Sequence, residues 1–202
     1  VMAYINTKDL KDEEYINSHY IMMCTKKGVV KKTSLEAYSR PRTNGINAIT
    51  IREGDQLLEA KMTTGKSHIM MAVKSGKAIH FEEEKVRAMG RTAAGVRGIR
   101  LASEDDEVVG MICIEDQEST VLVVAENGYG KRSAVEDYRI TNRGGKGVKT
   151  INITDKTGKL ISLKNVTDQD DLMVINKSGI TIRIGVDTLR VMGRATQGVK
   201  LI

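Results

Sequence analysis

The fold class that this sequence predicts is all-β, an array of propeller-like blades, and three observations carry that prediction. First, a short apolar run followed by a turn glycine occurs four times: Tyr20 to Cys24 before Gly28, Ile69 to Val73 before Gly76, Val121 to Ala125 before Gly128, and Leu172 to Ile175 before Gly179. These glycines lie 48, 52 and 51 residues apart. Second, another set of glycines, Gly45, Gly95, Gly147 and Gly198, follows the first after 17, 19, 19 and 19 residues. Third, no long stretch repeats its apolar residues with the 3.6-residue period of a helix. Two ladders sharing one period mark an internal repeat. About four short strands in each unit of about 50 residues is the sequence form of blades that pack face on face.

The units run roughly 1–54, 55–105, 106–157 and 158–202, a single array of four four-stranded blades. Val1-Met2-Ala3-Tyr4-Ile5 opens the first unit in the phase taken later by Leu57-Leu58, Val108-Val109 and Leu160-Ile161. Val1 is not a natural start, so the chain reads as a piece of a longer protein. Ile69–Val73 and Val121–Ala125 are apolar on both faces, as strands covered on both sides must be. Ile180-Thr181-Ile182-Arg183-Ile184 alternates, as a strand with one wet face does. Glu82-Glu83-Glu84-Lys85-Val86 and Ser133-Ala134-Val135-Glu136-Asp137 read as single helical turns between strands, and Pro41 falls in a loop.

The second glycine of each unit closes a signature. Thr141-Asn142-Arg143-Gly144-Gly145-Lys146-Gly147-Val148 is its fullest copy. Met89-Gly90-Arg91-Thr92-Ala93-Ala94-Gly95-Val96 and Met192-Gly193-Arg194-Ala195-Thr196-Gln197-Gly198-Val199 are close to it, and Arg40-Pro41-Arg42-Thr43-Asn44-Gly45-Ile46 is degenerate. A guanidinium beside a glycine turn with uncovered N–H groups suits a phosphate.

Charge follows the same frame. The chain carries 32 Lys plus Arg against 26 Asp plus Glu, a formal net charge of +6, which favours a polyanionic partner. The turn regions carry Lys26, Lys27, Lys31, Lys32, Lys74, Lys77, Lys131, Arg132, Lys177 and Arg183. The signature loops carry Arg40, Arg42, Arg87, Arg91, Arg139, Arg143, Lys146, Arg190 and Arg194. Acids collect apart from them in sequence, in Lys11-Asp12-Glu13-Glu14, Glu104-Asp105-Asp106-Glu107 and Asp168-Gln169-Asp170-Asp171. If the blades are related by rotation, the cations form a stripe along one rim. Expected as DNA contacts, they are held by the turn glycines Gly28, Gly45, Gly76, Gly95, Gly128, Gly144, Gly145, Gly147, Gly179 and Gly198.

Other chemistries find little support. Gly65-Lys66-Ser67 lacks the earlier glycine of a phosphate-binding P-loop, since Ala60 stands there, and reads as a hairpin turn. Gly128-Tyr129-Gly130 lacks the third glycine of a dinucleotide fingerprint. Asp168, Asp170 and Asp171 read as a solvated loop, and His19, His68 and His80 share no phase, so no metal is expected. Cys24 and Cys113 sit in apolar runs and read as core residues of a reducing compartment. With six tyrosines and one phenylalanine scattered along the chain, no stacking platform for single strands emerges, and duplex DNA fits better. No apolar stretch is long enough to span a bilayer.

The whole chain resembles the C-terminal domain of the DNA gyrase A subunit, most specifically in Asn142–Val148, in Gly193–Val199 and in the recurrent run-and-glycine pattern. The resemblance implies a β-pinwheel of about six four-stranded blades whose last four repeats are present here, a disc that wraps duplex DNA around a basic rim to direct negative supercoiling. It implies no catalytic site in this chain; the catalytic tyrosine, ATP and Mg2+ belong to other parts of the intact enzyme. The implied partners are the rest of the gyrase A protein and the gyrase B protein, in a bacterial cytoplasm at the nucleoid, with no membrane. The family's glycine- and arginine-rich box stands ordinarily in the first blade. Arg143-Gly144-Gly145-Lys146-Gly147 is similar to it but lies in the third repeat, as the related loop of a later blade. The corresponding domain of topoisomerase IV and a protein-binding β-propeller are the alternatives.

Overall fold

The four apolar runs are the first strands of four hairpins. A computed structural model describes every residue except residue 117. Its strands are β1 (Tyr20–Thr25), β2 (Val29–Ser34), β3 (Leu57–Thr63), β4 (His68–Val73), β5 (Lys77–Glu82), β6 (Val96–Arg97) and β7 (Val108–Ile114). They continue as β8 (Thr120–Ala125), β9 (Tyr129–Ala134), β10 (Val148–Lys149), β11 (Leu160–Val166), β12 (Asp171–Ile175), β13 (Thr181–Gly185) and β14 (Val199–Lys200). They form three four-stranded sheets, β3-β1-β2-β6, β10-β5-β4-β7 and β11-β8-β9-β14, and the two-stranded sheet β12-β13. The all-β, pinwheel reading therefore holds, with the fourth blade represented by its central hairpin.

The sheet orders show a rule that the repeat frame conceals. Each hairpin belongs to one unit, but the strands on both of its flanks come from the next. The β1–β2 hairpin takes β3 and β6, the β4–β5 hairpin takes β7 and β10, and the β8–β9 hairpin takes β11 and β14. A register shift recurs at one phase of each long pairing, at Cys24/Thr25, Ala72/Val73 and Leu160/Ser162. Such a bulge bends the outer strand and strengthens its twist.

The glycine ladders mark the same exchange. Gly28 has φ +92, and a Cβ there would stand 2.7 Å from the carbonyl oxygen of Ile99 in the following unit. A Cβ on Gly95 would meet Val30 O at 2.5 Å. The equivalents without a neighbouring strand, Gly179 and Gly45, have nothing within 4 Å.

Alternation along the central strands builds the core between blades. From β4, Ile69, Met71 and Val73 pack with Met22, Cys24 and Val30 of the first sheet, while Met70 and Ala72 pack with Val121, Val123 and Ala125 of the third. Successive side chains point to opposite faces, so one strand serves two interfaces. β12 touches a partner sheet on one face only, through Leu172 beside Leu122, Val166 and Val186, and leaves Met173 and Ile175 exposed.

Both cysteines join the first interface, Cys24 buried and Cys113 half-buried. Burial pushes the Cys24 thiol far above its ordinary value and the Cys113 thiol up to about 12, so both behave as small apolar groups.

Three-residue 3₁₀ turns follow β5 and β9, as read from sequence, and similar turns follow β2 and β13. The acidic stretch near the start instead forms α1 (Glu13–Ser18), capped by the Asp12 side chain, which accepts from the N–H groups of Glu14 and Tyr15. Ile16 of this helix covers Ile21, Met23 and Leu35 on the free face of the first sheet. Val1–Ile5, in strand phase by sequence, pairs with no strand.

Candidate nucleic-acid interface

The signature loops lie side by side because each is hydrogen-bonded to the segment that follows the preceding loop. Thr50 N donates to Ala93 O at 3.3 Å, Arg100 N to Gly145 O at 2.8 Å and Asn152 N to Thr196 O at 3.0 Å. The three bonds share one phase: the acceptor stands two residues before its loop's last glycine, the donor five after the glycine of the loop before. The loops thus form a ladder along one edge of the array.

Three rows of cations run along this ladder. Arg87, Arg139 and Arg190 stand eight residues before Gly95, Gly147 and Gly198; all are exposed, and no ion pair or hydrogen bond ties their side chains among the described residues. Arg91, Arg143 and Arg194 stand four before the same glycines and are half-buried, because they brace the backbone. Arg143 donates through Nη1 to Arg97 O at 3.0 Å and through Nε to Lys85 O at 3.1 Å. Arg194 repeats this on Lys149 O at 2.7 Å and Asp137 O at 3.0 Å, and Arg91 donates to Asn47 O at 2.7 Å. The third row, Arg97, Lys149 and Lys200, stands exposed two residues after each glycine, on β6, β10 and β14.

Sequence reasoning missed that third row. Counting two residues past each signature glycine would have found it. Lys146 is exposed at the tip of the third loop, beside a groove also lined by Ile79, Arg139 and Arg143. Arg40 and Arg42 are exposed on the degenerate first loop, and Lys177 is exposed on the turn of the last hairpin.

Four of the expected contacts need correction. Lys31, Lys32, Lys131 and Arg132 are buried, at 0, 7, 1 and 6% exposure, because they alternate into the sheet interfaces rather than onto the rim. Lys31 Nζ donates to Ala48 O at 2.6 Å and to Arg91 O. Lys131 Nζ donates to Gly193 O at 2.7 Å, to Arg194 O and to Thr196 Oγ1 at 3.2 Å. Burial lowers both ammonium groups to about 8.

Lys32 and Arg132 each reach into the next blade. Lys32 Nζ meets the fully buried Glu83 carboxylate at 3.1 Å, which also accepts from Thr63 Oγ1, Gly65 N and Ser67 N. Gly65–Ser67 is not the hairpin turn expected, because β3 and β4 belong to different sheets; it links the first sheet to the second, and its Gly65 and Ser67 N–H groups are committed to Glu83. Arg132 Nη1 meets Asp168 Oδ1 at 2.6 Å, while its Nε donates to Leu189 O at 2.6 Å. His80 takes the same phase in the second sheet. Its Nδ1 is 2.9 Å from Tyr138 O, so that nitrogen carries the proton, and Nε2 accepts from His68 Nδ1 at 2.9 Å. The two histidines, scattered in sequence, are partners across β4 and β5. Burial holds the His80 imidazole below its ordinary value, with His68 adding to the effect.

The separation of acids from bases also fails in space. Lys27 Nζ donates to Glu104 O at 2.9 Å, and Lys74 pairs with Glu107 at 2.6 Å, a hydrogen bond that holds the Glu107 carboxyl below its usual range. Arg183 pairs with Asp171 across the last hairpin. Lys26 is half-buried, and its backbone bonds Gln56 and Val108. Lys77 lines a recess with Arg100, Lys146 and Asp106. The turn ends of the blades are of mixed charge, and the signature-loop edge is the predominantly cationic one.

Strand-exchanged blades with a laddered, cation-bearing edge define a β-pinwheel repeat domain. The chain belongs to the DNA gyrase C-terminal domain family, described as a beta-propeller, whose model matches residues 19–63, 67–115, 119–167 and 170–202. The DNA gyrase A subunit of Chlamydia pneumoniae is 45% identical over 194 residues, which are 96% of this chain and 23% of that protein. The chain thus spans about a quarter of the length of that relative. Two solved structures share the fold. One is the C-terminal domain of DNA topoisomerase IV, with TM-score 0.85 and 24% identity over 92% of this chain and 58% of that one. The other is a DNA gyrase A C-terminal domain, with TM-score 0.84 and 22% identity over 99% of this chain and 65% of that one.

Proposed function

We propose that this chain is the non-catalytic DNA-binding and DNA-wrapping domain of the A subunit of DNA gyrase, which is a type II topoisomerase. The observation that carries the reading is the row Arg87, Arg139 and Arg190, exposed at one phase of three laddered loops. Side chains repeated at that phase meet successive phosphates of one duplex and release counterions, which gives affinity without reading sequence. Bending a segment of 20 to 30 bp by 40 to 90° costs on the order of 1 to 6 kcal/mol, so several loops must act together. The bent segment is passed to the rest of the gyrase A protein, which with the gyrase B protein, ATP and Mg2+ performs strand passage biased towards negative supercoils. The site of action is the bacterial cytoplasm, at the nucleoid.

The corresponding domain of topoisomerase IV is the second reading, because one of the two solved structures comes from that enzyme. The 45% identity to a gyrase A protein favours gyrase.

The test is a salt titration of duplex binding with Arg87→Glu, Arg139→Glu and Arg190→Glu combined. Loss of three phosphate contacts makes the slope of log K against log salt shallower by about 3. An unchanged slope overturns the reading, and a wild-type chain that retards no duplex in a gel-shift assay while capturing an acidic protein supports a protein-binding propeller instead.

A further inference from the structure

One peptide unit of the signature loop points in opposite directions in different blades, and the residue beneath it changes in step. Three residues after the turn glycine stand Lys31, Ile79 and Lys131. Above Lys31, the carbonyl of Arg91 turns inward to the buried ammonium; above Lys131, the carbonyl of Arg194 does the same. These peptides are trans, so the N–H of the next residue points the other way. Thr92 and Ala195 are exposed, and their N–H groups meet no acceptor among the described residues.

The third loop reverses this arrangement. Its equivalent N–H, that of Gly144, points inward and donates to Gly98 O at 2.7 Å. Gly144 has φ +84, a conformation closed to Thr92 and Ala195 without strain. Ile79 lies beneath and has no donor to hold a carbonyl. The loop carries its own exposed cation, Lys146, where the other two have Ala94 and Gln197.

We propose that Lys31 and Lys131 are positioning residues that set the polarity of the loops above them, so that Thr92 and Ala195 offer outward N–H groups to a phosphate oxygen. Two ways of receiving an anion then alternate along the rim: an oriented amide backed by a buried ammonium, and an exposed lysine on a glycine loop whose amide is committed inward. The proposal rests on the reading of the rim as a phosphate-backbone surface. It adds to that reading two contacts made by the main chain, invisible to any count of charged side chains.

The test follows amide resonances while a duplex of about 20 bp, the scale on which bending is costed, is added to the chain. Thr92 and Ala195 shift and Gly144 does not. In Lys31→Met the Thr92 response disappears while that of Ala195 remains, and Lys131→Met does the converse, so each variant carries its own internal control. Each substitution weakens binding roughly tenfold, the size of one hydrogen bond to a charged group. Duplex binding with both amides silent, or equal responses in wild type and variants, overturns the proposal. If no duplex binds, the DNA reading fails, and inorganic phosphate added separately still interrogates the loops: silence of Thr92 and Ala195 there overturns the proposal as well. Should a methionine variant not fold, hydrogen exchange of the wild type decides. Fast exchange at Thr92 and Ala195 with protection at Gly144 supports the proposal, and the reverse order overturns it.

Discussion

The first and third blades differ from the second in what they place beneath the rim. Three, five and ten residues after the turn glycine, the first blade has Lys31, Thr33 and Tyr38, and the third has Lys131, Ser133 and Tyr138. The second has Ile79, Phe81 and Val86 there, and the fourth hairpin follows it with Ile182, Ile184 and Leu189. The geometric repeat is one blade, but the chemical repeat is two. The junctions differ as well, for the first and third blades send a lysine or arginine to a carboxylate of the next, while the second sends an imidazole to a carbonyl. Either kind of junction holds the same backbone in place: Met89 N, Thr141 N and Met192 N all donate at 2.8 Å to the carbonyls of Lys32, His80 and Arg132.

The contrast is broken most directly at Glu83. Glu83→Ala leaves the Lys32 ammonium buried and unpaired, and urea unfolding should register a loss of about 3 to 5 kcal/mol. His80→Ala should cost clearly less; equal losses would mean that charge at the junction is irrelevant. Arg132→Met tests the same idea more gently. Its partner Asp168 has a side chain 64% exposed and can rehydrate, so a loss of about 1 kcal/mol is expected.

Smaller effects come from titration. His80 has a folded value below the unfolded 6.5, so the unfolded chain binds the proton more tightly and stability falls as pH drops below about 6.5. His68, Glu82 and the Tyr138 carbonyl face the ring. The Thr141 amide should lose hydrogen-exchange protection between pH 7.5 and 5.5, while Met89 and Met192 keep theirs. The lysines shift in the same direction as His80, at higher pH. Lys31, facing Arg91, and Lys131, facing Arg194 and Asp137, have folded values of about 8 against 10.5. Between pH 8 and the unfolded value the unfolded chain binds more protons, so their contribution to stability rises with pH. Denaturation from pH 7.5 to 9 should show that rise in wild type and lose it in Lys31→Met combined with Lys131→Met.

Much of this architecture was legible because period and burial leave direct marks. Ile69–Val73 had to be a doubly covered strand, and the paired glycine ladders had to be turns and close approaches. What could not be read was which unit supplies the flanking strands, since β6, β10 and β14 are two residues long and carry no pattern of their own. Burial of Lys31 and Lys131 was hidden for a related reason: their acceptors are main-chain carbonyls 17 to 63 residues away, and carbonyls have no sequence signature. Lys74 and Glu107 looked separate because they are distant in the chain, and the pairing of β4 with β7 brings them together. α1 was missed because a six-residue helix is too short to show periodicity, although Asp12 ahead of Glu13-Glu14 was a usable capping signal.

Exchange of flanking strands makes the units inseparable. Val30 finds its neighbour at Val96 and Gly130 finds its own at Val199, so completing either sheet requires the chain to travel more than one full period. Deleting one unit strips two sheets at once, unlike the trimming of a solenoid, where each module leans only on its neighbours. Such distant pairings slow folding and tie its steps together. A family built this way is expected to lengthen or shorten in whole interlocked steps, with its rim kept continuous as it does so.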